Sequence, residues 1–532
     1  MSKEYVPPAL TAESKLDGEV VASASGGLYL FNGEGKKFET KVKAGTMHVA
    51  KLKGFKTIMS IWNQAIPGTP LMKLEIQHSL NIIKAPADQA IQWNLNYGGK
   101  LTLWSFKFED SKEMDECVRK MRIAMWERER KEDFIELKQE DQTAVADTED
   151  MEYDTEDEED EDEIYEMRER YHSDYRKKEA ATPSKNSYVE VGKANNRSFV
   201  VRGSEIGVFK NDNKSHGGLG YVSKISEVRD TKGNLFSPEK AFLHDRDRKM
   251  ILLPQGERQK ALLMDLETEK VVEEWRGPED FLIKDLIPGR KYQQMTAEQL
   301  VAGVNKNTVF RLDPRINGKN KIADHRIYKS NYKFGCITAN DTGHLAVGSE
   351  KGEIRLYSEA SKIAKCAFPG LGDLIKGIDT TADGKWVLGT CKNYLLLYCV
   401  VKPNGKTGFE TRMLKDEKPI PFKLQLSPSD IMRYGIEEVD FTVARFDLGE
   451  DEEQMISTST GQFVIVWSFS AIKKKGVKAR YEYRIKKMDC AIVGEQFQYN
   501  SAKMVVGYED DVVVQTMEKA KAKPRREKYL YK

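Results

Sequence analysis

The residues best suited to chemistry are thinly spread. Seven histidines (His48, His78, His172, His216, His244, His325 and His344) fall in no HxxxH or HExxH spacing, so the helical pair that grips zinc in hydrolases is missing. His244-Asp245-Arg246-Asp247-Arg248 offers ligand and acid–base groups, but so short a charged run between apolar stretches reads as a hairpin. Gly405-Lys406-Thr407 echoes the end of a phosphate-binding loop. Val400 occupies the place of that loop's first glycine, and no helix follows to offer its N-terminus. Gly217-Gly218-Leu219-Gly220 lacks the strand–turn–helix setting of a dinucleotide site and reads as a loop. Six cysteines (Cys117, Cys336, Cys366, Cys391, Cys399 and Cys490) form no CxxC, which argues against a zinc knuckle or a disulfide framework. There is no GxSxG. The sequence therefore predicts no catalytic residue, no metal and no cofactor.

What remains is electrostatic. Lys plus Arg is 85 and Asp plus Glu is 84, a net charge of +1 that hides strong local imbalance. Residues 147–163 hold 13 acids and no base, leaving about +14 on the rest of the chain. Within that run Thr155, followed by Glu156-Asp157-Glu158, is a candidate phosphosite for an acidophilic kinase; a phosphate there adds about −2 charge. Two basic clusters oppose the run. Lys36, Lys37, Lys41, Lys43, Lys51, Lys53 and Lys56 face a single acid, Glu39, and form a candidate surface for anionic lipid headgroups. On a strand, Lys41 with Lys43 and Lys51 with Lys53 each share a face. Lys473, Lys474, Lys475, Lys478, Arg480, Arg484, Lys486 and Lys487 form a candidate partner surface with Tyr481 and Tyr483 among them. The tail from Gln515 adds seven bases against two acids. These bases could clamp the acidic run in cis, act in nuclear import or meet nucleic acid, the last being disfavoured by the neutral overall charge.

The elements that position these groups follow from periodicity. Gly18–Phe31, Lys41–Lys53, Phe55–Trp62, Leu71–Ile76 and Leu101–Phe108 read as strands rich in β-branched and aromatic residues. The period then changes: Met114, Cys117, Val118, Met121 and Met125 recur at helical spacing after an Asp110/Glu113 capping box. The expected helix runs from about Asp110 toward Lys138, its charged second half projecting into solvent. A strand meander closed by such a helix, with Trp126 in it, resembles a pleckstrin-homology-like domain. Residues 140–187 read as an acidic disordered linker. Beyond them, 188–532 are short strands with turn signals between. Seven segments share one pattern: Ser204–Lys210, Lys260–Asp265, Asn307–Asp313, Gly352–Tyr357, Asn393–Tyr398, Gly461–Trp467 and Asp510–Thr516. Their recurrence at roughly 40–70 residues fits a β-propeller of about seven blades. Trp467-Ser468 is the nearest approach to a Trp-Asp repeat end, so strict WD repeats are not expected. The predicted fold is mainly β: a pleckstrin-homology-like domain with its helix over 1–139, the linker over 140–187, and a WD-like propeller with a basic tail over 188–532.

Several ordered motifs carry a family resemblance. They are Leu263-Met264-Asp265-Leu266-Glu267-Thr268, Phe310-Arg311-Leu312-Asp313-Pro314-Arg315, Leu345-Ala346-Val347-Gly348-Ser349-Glu350-Lys351-Gly352, Phe368-Pro369-Gly370-Leu371-Gly372-Asp373, and Gly377-Ile378-Asp379-Thr380-Thr381-Ala382-Asp383-Gly384-Lys385-Trp386. Together they resemble the vacuolar import and degradation protein twenty-seven family, which includes the plant "defective embryo and meristems" proteins. The resemblance implies a WD-like propeller, a role linked to vacuolar import and degradation, and no catalytic residues. The expectation is a non-enzymatic adaptor. Its propeller binds protein partners, and its N-terminal domain contacts a membrane or a peptide. A nuclear or nucleic-acid-associated regulator is the alternative. The start has no apolar signal region and no stretch approaches 18 apolar residues, so a reducing, cytoplasmic or also nuclear setting is expected.

Overall fold

A computed structural model describes residues 18–33, 35–66, 68–97, 100–148, 163–172, 184–211, 218–277, 281–449, 451–476, 483–521 and 530–531. Alternation of apolar and polar residues builds the first seven strands: β1 (Glu19–Asn32), β2 (Lys37–Leu52), β3 (Lys56–Asn63), β4 (Met72–Glu75), β5 (Ile83–Ala85), β6 (Ala90–Tyr97) and β7 (Lys100–Phe108). They form one antiparallel sheet in the order β4-β3-β2-β1-β7-β6-β5. The sheet buries Met47, Val49, Trp93, Trp104 and Phe106 in one cluster with Met114, Cys117 and Met121 of helix α1 (Ser111–Arg130).

The start of α1 differs from the expected capping box. Asp110 caps by accepting from the Lys112 amide at 2.7 Å. Glu113 instead turns to β1, where its carboxylate accepts from the Ser25 amide at 3.0 Å. A tertiary donor has displaced the local one. The helix also stops sooner than its charge pattern suggests. Lys131 adopts a left-handed φ of 55° and donates to the Glu127 carbonyl, ending the helix. The chain then doubles back into α2 (Gln139–Ala146), whose last carbonyl accepts from Arg122 at 2.8 Å. The second half of α1 does not project into solvent: Trp126 is 2% exposed.

The rest forms seven four-stranded antiparallel sheets. The seven segments recognised in the sequence are the third strand of each: Glu205–Asn211, Lys260–Asp265, Thr308–Leu312, Ile354–Tyr357, Tyr394–Cys399, Phe463–Ser468 and Val512–Lys521. These strands are buried on both faces between neighbouring blades, which is why they read as continuous apolar runs.

The ring closes with a strand from outside the expected propeller. β8 (Glu163–His172) pairs antiparallel with Val512–Lys521 and supplies the outer strand of blade 7, with Glu163 opposite Lys521 and His172 opposite Val513. Residues 140–187 are therefore not a linker throughout, since most of α2 and all of β8 lie inside them. Glu-Ile-Tyr-Glu-Met-Arg-Glu-Arg-Tyr-His has no local strand signal strong enough to be read alone. The unpaired edge of the last blade makes it a strand. Met167 packs against the cluster of Met455, Val466, Met504 and Val513.

Met167→Asp places a charge against that cluster and should lower stability by about 2–4 kcal/mol. Hydrogen exchange should show faster exchange in Val512–Lys521 than in the third strand of blade 3. Equal protection in both would mean that β8 does not hold the ring closed.

Candidate functional site

The Phe368–Asp373 motif, singled out above by resemblance, is the joint between the two domains. The C-terminal half of α1 lies on its loop. A Cβ on Gly372 (φ 97°) would sit 3.2 Å from the Trp126 carbonyl oxygen. A Cβ on Gly370 (φ 60°) would sit 2.0 Å from the Gly352 carbonyl oxygen, in the hairpin beside it. Both positions need glycine, for backbone conformation and for close approach. Trp126 belongs to the apolar cluster of blades 4 and 5, with Ile354, Phe368, Leu371, Val387 and Tyr398. It is a core residue of the propeller delivered by the N-terminal domain.

Hydrogen bonds from side chains to carbonyls cross the joint in both directions. Asn81 donates to Leu426 (2.8 Å), Asn94 to Pro428 (2.9 Å), Asn393 to His78 (2.6 Å) and Arg130 to Lys351 (2.6 Å). At the rim Lys418 pairs with Asp141 of α2 at 2.8 Å. In the middle, His78 Nε2 stands 3.6 Å from Asp373 Oδ2, beside the Tyr394 ring. Burial, then the Lys423 charge, pushes the His78 imidazole down to about 3, so it is neutral. Burial pushes the Asp373 carboxyl up to about 6.

A second concentration of charge lies on the propeller axis. The first strand of each of six blades brings Glu190, Lys240, Asp285, Asp379, Arg445 or Glu495 toward it. A stitching pattern explains much of this. Glu190 of blade 1 accepts from the Leu243 amide of blade 2 (3.4 Å), Asp285 of blade 3 from Ile337 of blade 4 (3.1 Å), and Asp379 of blade 5 from Phe446 of blade 6 (3.0 Å). Gln496 of blade 7 accepts from Val191 of blade 1 at 3.2 Å. Lysines balance the carboxylates: Lys240 meets Asp285 at 2.5 Å and Lys291 meets Asp379 at 3.3 Å.

Lys291 comes from the loop joining the first two strands of blade 3. That loop lies across the axis on one face. The Lys291 amide donates to Asn340 of blade 4, its ammonium to the Thr380 carbonyl of blade 5, and its carbonyl accepts from Lys193 of blade 1. Tyr292 meets the ring of Tyr499 in blade 7, centroids 5.5 Å apart. Burial pushes Glu495 up to about 7 and Asp447 up to about 6. Among the described residues no group of His, Cys, Asp and Glu could hold a metal ion.

The basic clusters of the sequence are divided by the fold. Lys36, Lys37, Lys41 and Lys43 stand at the β1–β2 hairpin, whereas Lys51, Lys53 and Lys56 lie at the other end of β2. Lys43 and Lys51, eight residues apart on an extended strand, are separated by about 26 Å. Lys41 and Lys43 are exposed with Val42 buried between them, so they share a face as expected. Lys51 is structural, with its ammonium 2.8 Å from the Glu127 carboxylate of α1.

In the second cluster Lys473 pairs with Glu452 at 3.0 Å, and Arg484 donates to the Tyr483 carbonyl. Lys486 donates to the Met167 carbonyl of β8 at 3.1 Å. Lys474 and Lys487 are exposed. Lys475 ends helix α3 (Phe469–Lys475), and its side chain lies outside the described residues, as do Lys478, Arg480 and Thr155. The run around His244 is a hairpin, as read. Asp247 accepts from the Ala194 and Asn195 amides at 2.6 and 2.9 Å. The sequence reading missed His78, Asp373 and Lys423, which carry no local motif beyond the glycine-rich loop.

A seven-bladed β-propeller with a pleckstrin-homology-like domain seated on one of its faces defines the class of protein. Residues 184–532 match the family model described as the VID27 C-terminal WD40-like domain, residues 19–128 match the VID27 PH-like domain, and the chain belongs to the VID27 family. β8 falls in neither matched range. The chain is 38% identical over 343 residues to Vacuolar import and degradation protein 27 of Saccharomyces cerevisiae, covering 62% of this chain and 44% of that one. It is 36% identical over 348 residues to the protein of the same name in Schizosaccharomyces pombe, covering 64% and 43%. This chain thus matches less than half the length of those relatives. Among solved structures, the β-propeller domain of Myceliophteria thermophila Cps50 (Swd1) aligns with a TM-score of 0.46 at 11% identity, covering 64% of this chain and 98% of that one.

Two substitutions test the joint. Gly370→Ala should cost about 2–4 kcal/mol, because the new methyl overlaps a backbone carbonyl as well as opposing the left-handed backbone. Gly405→Ala, at φ 79° with open space around it, should cost only about 1 kcal/mol. Similar melting temperatures for the two would remove the close-approach argument. Asp373→Asn tests the electrostatics. A carboxyl raised to about 6 favours the folded state fully below its ordinary value near 4 and loses that contribution as pH rises through 6. Asn never ionises, so the variant should melt higher than wild type at pH 8. The difference should shrink toward pH 5 and vanish near pH 4. A lower melting temperature at pH 8 would mean that the ionised Asp373 is a net stabiliser.

Proposed function

We propose that this chain is a non-enzymatic interaction scaffold. Its propeller presents partner surfaces, and its N-terminal domain adds an anion-binding contact held at a fixed angle. The observation that carries this reading is Trp126: the helix that closes the N-terminal domain ends inside the propeller core. Two surfaces joined in this way act together without the entropy cost of ordering a tether. The axial carboxylates support the non-enzymatic part, because Glu190, Asp285 and Asp379 are spent on inter-blade amides and lysines. The names of the curated relatives suggest vacuolar import and degradation as the process served. Lys473 and Lys486 are engaged in structural bonds, so the basic C-terminal segment is a poorer nucleic-acid surface than its composition suggests.

The contact we assign to the N-terminal domain is an anionic membrane surface met by Lys36, Lys41 and Lys43 at the exposed hairpin. The full chain should co-sediment with phosphatidylserine vesicles at low salt and release as ionic strength rises. Reversing the three lysines to glutamate should weaken binding by roughly two orders of magnitude, at about 1 kcal/mol per lost base. The melting temperature should not change, because all three side chains are exposed. If the full chain does not sediment with vesicles even at low salt, the membrane contact is wrong. Affinity purification of the full chain with mass spectrometry then tests the propeller alone, and recovery of no stoichiometric partner would overturn the scaffold reading.

A further inference from the structure

Among the described residues, two polar side chains at the propeller axis have no hydrogen-bond partner. Arg445, on the first strand of blade 6, is half-buried. Its guanidinium makes no hydrogen bond there, and no described carboxylate lies within ion-pair distance. Tyr188, on the first strand of blade 1, is also half-buried, with its ring against Val201 and Leu243. Its hydroxyl is likewise unbonded among the described residues, and it lies within electrostatic reach of Arg445.

The acids nearby are already committed. Every oxygen of Glu190, Asp285 and Asp379 accepts a hydrogen bond. Glu190 takes the Leu243 amide on one oxygen and the Gln496 side chain (3.0 Å) on the other. Asp285 takes Lys240 and the Leu286 amide on one, the Ile337 amide on the other. Asp379 takes Lys291 and the Thr380 amide on one, the Phe446 amide on the other. Burial works against the charge of Arg445, but the field of these acids outweighs it and keeps the guanidinium protonated. What Arg445 lacks is an acceptor at contact, which its planar fork would meet with two parallel N–H bonds.

Space for that acceptor lies on blade 7, between the two residues. A Cβ on Gly494 would meet nothing within 4 Å. Gln496 of the same strand reaches the Val189 carbonyl at 2.8 Å and the Val191 amide at 3.2 Å, so Gly494, two residues earlier, comes level with Tyr188. The Lys291 loop crosses the axis on the face where the first strands end. The N-terminal domain sits on the other face, over blades 4 and 5. The axial space is a cup, entered beside that domain.

We infer that the cup binds a single carboxylate, bidentate on Arg445 with the Tyr188 hydroxyl as a third donor, supplied by an acidic residue of an extended partner segment. One fork and one hydroxyl hold a free carboxylate weakly, so tight binding draws on further contacts made by a chain along the rim. The surrounding acids favour a singly charged group over a phosphate dianion, because each added like charge is repelled at the axis. This deepens the scaffold reading by giving the propeller one specific contact.

The test follows the Arg445 Nε–Hε resonance of the ¹⁵N-arginine-labelled full chain, assigned by its loss in Arg445→Lys. At constant ionic strength acetate should shift it to saturation, chloride should not, and inorganic phosphate should bind more weakly than acetate. Short blocked peptides with one central glutamate should saturate the same signal at lower concentration than acetate, and their glutamine counterparts should not. Tyr188→Phe keeps the ring packing and removes one charge-assisted bond, so acetate should bind roughly ten-fold more weakly at an unchanged melting temperature. Gly494→Leu, which fills the space without touching a charge, should abolish binding. Absence of a saturable acetate shift would overturn the proposal and leave channel water on Arg445. Acetate binding that both Tyr188→Phe and Gly494→Leu leave at full strength would overturn it equally. Acetate binding with no gain from the glutamate peptides would overturn the partner segment as the source and assign the cup to a free small acid. Partner capture by the full chain is read separately by purification, so failure here and failure of the scaffold reading are told apart.

Discussion

Closing the ring of seven sheets is the constraint on which everything else rests. Each blade is a four-stranded sheet whose first strand faces the axis and whose last faces the rim, and the ring stands only if neighbouring blades hold one another. Apolar packing supplies most of that hold. Near the axis the sheets crowd, and the amides of the inner strands need acceptors. Glu190, Asp285, Asp379 and Gln496 provide them, each reaching from its own blade to the next. Charge at the axis is expensive to bury unless it is paired, and Lys240 and Lys291 pair it. The last blade has only three strands of its own, and β8 completes it from far upstream in the chain.

The domain joint extends the same logic. A propeller surface carries loops, and loops seldom bury a tryptophan. Here Gly370 and Gly372 flatten the loop enough for α1 to lie on it, and Trp126 enters between blades 4 and 5. The asparagines that bond across the joint reach carbonyls that the adjoining domain has removed from water. The family motif is therefore explained by contact, not chemistry. Its glycines are required by the neighbour that presses on them. The N-terminal domain is attached to the propeller over blades 4 and 5 by its own helix and strands, so the acidic run is not the only thing that connects the two.

Much of the architecture could be read from the chain because it depends on local period. The seven third strands are buried on both faces and announce themselves as apolar runs between turns. The change from period two to period 3.6 at Asp110 marks the closing helix for the same reason: one face of each element must be apolar whatever packs on it. The basic hairpin of Lys41 and Lys43 was likewise visible, since alternate residues on a strand share a face.

Other features were decided only when distant segments met. β8 has mixed charge and becomes a strand because an open edge awaits it. Glu113 is a capping residue by sequence but accepts instead from the Ser25 amide of β1, a partner that only the packed sheet brings to it. Lys51 belonged by sequence to a basic surface and is drawn instead to Glu127. His78 and Lys423 lie far apart in the chain yet line one cleft, and Asp373 of the propeller comes within 3.6 Å of His78. Composition and period determine which face of an element is apolar. They carry no information about which buried face finds which, because that choice is made by packing between residues far apart in the chain.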